Sequence, residues 1–103
     1  YYHMGKISLE KVVEKMCHAP AICFHVKKRG FIRPGYHADL VVVDPDRPVT
    51  VSKDNILYKC GWSPFEGTTF RSSVVKTFVN GNLVFDEGAF HEEIKGQRLL
   101  FQR

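Results

Sequence analysis

Apolar residues near the N-terminus recur on a helical period. Leu9, Val12, Val13 and Met16 fall at i, i+3, i+4 and i+7, with Lys11, Glu14 and Lys15 on the other side, which predicts an amphipathic helix with one face to be covered. Ser8 stands where an N-cap hydroxyl is wanted, and Glu10 lies in the first turn, where the helix dipole favours an anion. Cys17-His18-Ala19 interrupts the stripe, and Pro20 at a first helical position predicts a second helix to about Lys28. Its buried stripe is expected to be Ile22, Cys23 and Val26, with Phe24 on the flank. Lys27, Lys28 and Arg29 suit the negative end of that helix, and Gly30 is placed to close its last turn at positive φ.

Beyond Gly30 the period changes. Phe31 and Ile32 lead into Pro34-Gly35, which predicts a type II turn. Leu40-Val41-Val42-Val43 then runs apolar without alternation, the pattern of a strand covered on both faces, and Asp44-Pro45-Asp46 ends it. Val49-Thr50-Val51 alternates with the period of two of a half-exposed strand, and Asp54-Asn55 marks a turn or short helical cap. Residues 59–67 are rich in Gly and Pro and read as a loop, yet they hold Trp62 and Phe65. Two large aromatics on a loop either pack it down or offer it to a partner; packing is the expectation, because a free aromatic loop lowers solubility. Two β-rich runs, residues 74–79 and 82–85, flank Asn80-Gly81, the dipeptide of a type I′ hairpin. Asp86-Glu87-Gly88 closes the second run, and residues 89–103 read as an irregular tail whose apolar end, Leu99, Leu100 and Phe101, docks on a surface the chain itself need not contain.

At 103 residues, 44% hydrophobic and 25% charged, the chain is one ordinary globular domain at most. No apolar run approaches the ~18 residues of a membrane span, and no charged-then-apolar leader opens the sequence. It begins instead at Tyr1-Tyr2-His3-Met4-Gly5, which reads as the middle of a longer protein. The net charge of +4 is scattered, and its longest basic run, Lys27-Lys28-Arg29, is explained by a helix end, so no nucleic-acid partner is expected. An odd three cysteines, Cys17, Cys23 and Cys60, without a secretory leader point to free thiols in the cytoplasm. Cys17, His18, Cys23 and His25 lack zinc-knuckle spacing, and His3, His37 and His91 stand alone, so none is taken as a metal ligand.

These same residues carry a family resemblance. Gly30, Ile32, Gly35, Ala38, Asp39 and the run Leu40-Val41-Val42-Val43 resemble the passage in cyclic amidohydrolases where the chain leaves a catalytic barrel for a small β domain. His18-Ala19-Pro20-Ala21-Ile22-Cys23-Phe24 is similar to the opening of the last helix packed on that barrel, except that Ala19 stands where Asn is usual. The Asn80-Gly81 hairpin resembles the one that pairs with the strand at residues 40–43 in that superfamily. Ser63-Pro64-Phe65-Glu66-Gly67, with Lys59 and Cys60 upstream, resembles the tail of dihydroorotases of the long-chain, allantoinase-like type; allantoinases carry a similar string, and Trp62 before Ser63 favours dihydroorotases.

The resemblance implies an α+β piece: terminal helices of a TIM-barrel amidohydrolase at residues 1–29, a small, mainly antiparallel β-sandwich at 30–88, and a C-terminal tail at 89–103. It implies a zinc-dependent, cytoplasmic hydrolase parent that reversibly converts dihydroorotate to N-carbamoyl-aspartate in pyrimidine synthesis. The zinc site of such enzymes uses an early His-x-His, a carboxylated Lys, two later His and a last-strand Asp. This sequence has no His-x-His and no Asp before its first helix. No catalytic, cofactor-binding or metal residue is therefore assigned, and the piece alone is expected to be inactive. Its expected partner is the rest of its own barrel, in a homo-oligomer, with a small-molecule substrate only in the parent and no membrane. Two alternatives stand: the same region of an allantoinase, hydantoinase or dihydropyrimidinase, or a free-standing β module that binds a protein through Trp62, Phe65 and residues 99–101.

Overall fold

A computed structural model describes residues 1–102; Arg103, the last residue of the expected tail, lies outside the described residues. Helix opens the fold. Ser8 caps it as expected, its Oγ accepting from the Lys11 amide at 3.2 Å. The helix does not break where the sequence predicts. Helix α1 (Leu9–Val13) runs through a π-helical turn (Glu14–His18) directly into α2 (Ala19–Cys23). Pro20 has no N–H for a carbonyl four residues back, and the chain absorbs that by widening one turn, so that the Ala19 amide donates to the Glu14 carbonyl.

The end of α2 is a second correction. It stops at Cys23, not Lys28, and His25 rather than Gly30 takes the left-handed closing conformation, with φ 54°. The His25 amide donates to Ile22 O at 3.2 Å and the Val26 amide to Ala21 O at 2.9 Å, the paired bonds of a Schellman cap. Gly30 does have positive φ, +83°, but for another reason. A Cβ there would collide with the Ala21 side chain and lie 2.8 Å from Cys17 O, so only glycine lets the departing chain cross the helix this closely.

The Pro34-Gly35 turn forms as read, with Tyr36 N donating to Arg33 O at 3.1 Å. Six strands follow among the described residues: β1 (Leu40–Asp44), β2 (Val49–Thr50), β3 (Thr69–Phe70), β4 (Ser73–Val79), β5 (Asn82–Asp86) and β6 (Ala89–Phe90). One antiparallel sheet has the order β1-β4-β5-β6, and β2 pairs with β3 in a second. The expected partnership of the hairpin with the valine strand is present, Leu40 opposite Phe78 and Val41 opposite Thr77, with a bulge after Val42. Asn80 and Gly81 both take positive φ, 51° and 80°, as a type I′ turn demands. Across β4 and β5, Lys76 stands opposite Asp86 and their charges meet at 2.7 Å. Lys53–Asn55 forms a 3-10 turn at the expected cap, closed by a reciprocal Ser52–Asn55 capping box.

The tail is less irregular than its sequence suggests. Glu87-Gly88 makes a second positive-φ turn, which folds β6 back on β5. The tail's end is tied to the chain by backbone, Lys27 N donating to Leu100 O and Gln102 N to His25 O, both at 2.8 Å, with Phe101 bridged to Val26, while the side chains of Leu99, Leu100 and Phe101 stay exposed. The left-handed residue His25 frees this stretch of backbone to pair, a signal a helix reading to Lys28 conceals.

Burial departs most from expectation. Among the described residues no hydrophobic side chain is buried, and Arg29 is the one buried polar residue. Val41 is 58% exposed and its neighbour Val42, on the opposite face, 43%, so the strand expected to be covered on both faces is open on both. The helix stripe is open as well: Met16 and Ile22 are exposed. The accessible surface is 8400 Å², against about 5,900 Å² for a folded monomer of this mass. These elements therefore expose apolar faces of the kind that pack in a core.

Candidate functional site

Arg29 is the point at which helix, turn and sheet meet. Its side chain is 8% exposed. Nε donates to Asp39 Oδ2, and Nη2 donates to Asn80 Oδ1 at 2.8 Å. The other Asp39 oxygen accepts from the Asn80 amide at 2.8 Å. Around this triangle the backbone closes twice more, His37 N to Lys28 O at 2.9 Å and Gly81 N to Ala38 O at 3.0 Å. A planar guanidinium with several fixed donors suits such a junction better than an ammonium would. Burial raises the Asp39 carboxyl pKa, but the Asn80 amide and the Arg29 guanidinium outweigh it and hold the pKa below its ordinary value. This latch joins three segments and presents no open position to a substrate, so its role is structural.

Sequence reasoning accounted for Arg29 only as a cation at a helix end, and for Asn80 only as a turn former. The contact between them spans 51 positions, and no local pattern announces it.

Next to the latch, Phe31 is stacked by the His18 ring at 4.2 Å with an interplanar angle of 5°, and the Arg33 guanidinium also lies over it at 4.2 Å. The polar side chains of this region are thus engaged with an aromatic ring. Among the described residues the remaining His and Cys side chains do not converge. Cys17, Cys23 and Cys60 are free and exposed, and among the described residues no group of three or more His, Cys, Asp or Glu could hold a metal ion. No helix of these residues is long and apolar enough to cross a membrane.

The aromatic loop is tied down through its backbone, not by burial of its rings. Ser63 organises it, its Oγ accepting from Phe65 N and its carbonyl from Glu66 N, both at 3.1 Å. Gly67 N and Val51 then tie the loop to the β2–β3 pair, and Phe65 meets Phe70 edge to face at 5.8 Å. Both rings nonetheless stay exposed, Trp62 at 60% and Phe65 at 56%, contrary to the expectation that they pack. Trp62 projects next to Cys60, whose thiol reaches the Trp62 carbonyl at 3.6 Å.

Known proteins share this layout. The amidohydrolase family model matches residues 1–84. The dihydroorotase of Pyrococcus furiosus is 34% identical over 96 residues, which is 93% of this chain and 23% of that protein. An allantoinase of Desulfitobacterium hafniense is 32% identical over 98 residues, 95% of this chain and 22% of its own length. Among solved structures, the L-hydantoinase (dihydropyrimidinase) of Arthrobacter aurescens superposes with a TM-score of 0.77 at 33% identity, over 85% of this chain and 20% of that one. The chain thus spans less than a quarter of the length of the curated relatives it matches.

Proposed function

Because the chain belongs to the amidohydrolase family, we propose that it is the C-terminal part of a dihydroorotase, the enzyme that reversibly hydrolyses dihydroorotate to N-carbamoyl-aspartate. The observation that carries this reading is the dihydroorotase match, which runs through 93% of the chain yet takes up only 23% of the relative. Residues 1–29 are the last helices of the parent's barrel, 30–88 a small β domain, and 89–103 its tail. The open faces of β1 and of the helix stripe support that division: they are covered in the parent by the barrel and by strands from the start of the polypeptide, which complete a sandwich with the β1-β4-β5-β6 sheet. The excess surface of about 2,500 Å² over a compact chain is of the size such a contact removes.

Dihydroorotase chemistry of this type uses zinc, and these residues do not fit as its ligands: the His and Cys side chains are dispersed and no three candidate donors come together among the described residues. We place the metal, the catalytic groups and the substrate pocket in the preceding barrel, and take this part as structural, inactive by itself and cytoplasmic. A homo-oligomer fits the exposed Trp62 loop.

The allantoinase match at 32% favours a second reading, in which the parent acts on another cyclic amide. Assay of the full-length enzyme on dihydroorotate, allantoin, hydantoin and dihydrouracil separates the two. Turnover of dihydroorotate above the others is expected; an enzyme that ignores dihydroorotate and opens allantoin overturns the proposal.

A further inference from the structure

Asn80-Gly81 is the dipeptide of this chain whose side-chain amide is most prone to deamidation. In an Asn-Gly pair the following amide nitrogen can attack the side-chain carboxamide, because glycine has no Cβ to obstruct the approach. Gly81 N would bond to Asn80 Cγ as the Cγ–Nδ2 bond breaks, and ammonia leaves with the Gly81 amide proton. Water then opens the cyclic imide at either carbonyl, to give aspartate or isoaspartate; nothing is oxidised or reduced.

The fold restrains each participant in that step. The nucleophile, Gly81 N, keeps its proton in a bond to Ala38 O at 3.0 Å. The electrophile is fixed through Asn80 Oδ1, held by Arg29 Nη2 at 2.8 Å, so the carboxamide turns toward Gly81 only by leaving the guanidinium. The Asn80 backbone is fixed in turn by its amide bond to Asp39 Oδ1 at 2.8 Å. Arg29 is buried, so solvent does not readily replace it. Elsewhere on the chain, Asn55 precedes Ile56 and Asn82 precedes Leu83, whose side chains hinder the same attack.

We propose that Asn80 is a latent deamidation site which the Arg29–Asp39 latch holds closed. Opening the latch commits the chain. Aspartate at this position sets a second carboxylate beside Asp39, and isoaspartate inserts an extra backbone atom into a two-residue turn whose register β1, β4 and β5 share. Aspartate keeps an oxygen for Arg29, but the isoaspartate product prevents the same latch from re-forming, so where it forms the loss of structure at this junction becomes irreversible.

The test follows deamidation in the full-length protein at neutral pH, native and unfolded in guanidinium chloride, by peptide mapping for the amide-to-acid mass gain and for isoaspartate. Asn55 and Asn82 serve as references within the same digest. Asn80 should deamidate on the order of tenfold or more slowly in the native protein than in the unfolded one, as local opening requires. Arg29→Lys, shown by circular dichroism to be folded, should recover much of the unfolded rate; if it does not fold, Asp39→Asn takes its place. Equal rates in native and unfolded protein overturn the proposal, and so does a folded variant that deamidates as slowly as the natural sequence.

Discussion

Arg29, six residues past the end of α2, donates a 2.8 Å hydrogen bond to the side chain of Asn80 at the tip of the β4–β5 hairpin. One buried cation thereby fixes the angle at which the helical segment meets the sheet. Substitution by Ala leaves Asp39 and Asn80 without their shared donor, and a loss of about 2–4 kcal/mol in the stability of the full-length protein is expected, the range for removing one partner from a largely buried charged pair. Urea unfolding measures it. A loss below about 0.5 kcal/mol, typical of an exposed pair, contradicts the latch.

Asp39 predicts a pH dependence. Its folded pKa is depressed below 3.8, so its contribution is present above that value and is lost as pH falls through the folded pKa. Unfolding midpoints should therefore decline with acidification from about pH 4 downward, and Asp39→Asn, already less stable at neutral pH, should show a shallower decline in that window. Parallel pH profiles for the two proteins remove Asp39 as the source.

Gly30 and Gly81 provide a matched pair. Both have positive φ, +83° and +80°, but a Cβ at Gly81 meets open space while one at Gly30 strikes Ala21 and the Cys17 carbonyl. Gly81→Ala should cost about 1 kcal/mol from backbone strain alone, and Gly30→Ala about 2 kcal/mol more from the forced separation of chain and helix. Thermal unfolding of the two variants checks the order; equal losses refute the close approach.

Much of this arrangement could be read from local pattern because local physics decides it. The Ser8 cap, the Pro34-Gly35 turn, the Asn80-Gly81 hairpin and its partner strand each follow from a residue whose backbone preference admits few alternatives. The failures lie where a distant contact decides. Pro20 stands in the first turn of α2 as read, but a π turn joins that helix to α1 where a break was expected, and α2 ends early because His25 takes left-handed φ while residues 25–27 pair with the tail. The strand at residues 40–43 has the apolar run of a covered strand, yet its valines are exposed in this structure, because burial depends on what packs against a strand and not on the strand's own residues. The latch of Arg29, Asp39 and Asn80 was not legible because its contacts span up to 51 positions, beyond any local pattern.

The valine strand tests that difference between pattern and burial. Val41 and Val43 are more than half exposed in these residues, yet their sequence is that of a covered strand. Val41→Ala and Val43→Ala in the full-length protein should each cost about 1–2 kcal/mol, as truncations in a packed core do, where substitutions at an open surface stay within about 0.5 kcal/mol. Surface-like losses at both positions mean that nothing covers β1.

Most direct of all is the intact mass of the native gene product, read from an untagged lysate with an antibody against this segment. A polypeptide several times heavier than 11.8 kDa, large enough to add a barrel of roughly 250 residues, is the predicted result and places these residues as the end of a larger hydrolase. A native product of 11.8 kDa contradicts it: the amidohydrolase architecture would then stand alone, and the exposed Trp62 loop would be the place to seek its activity.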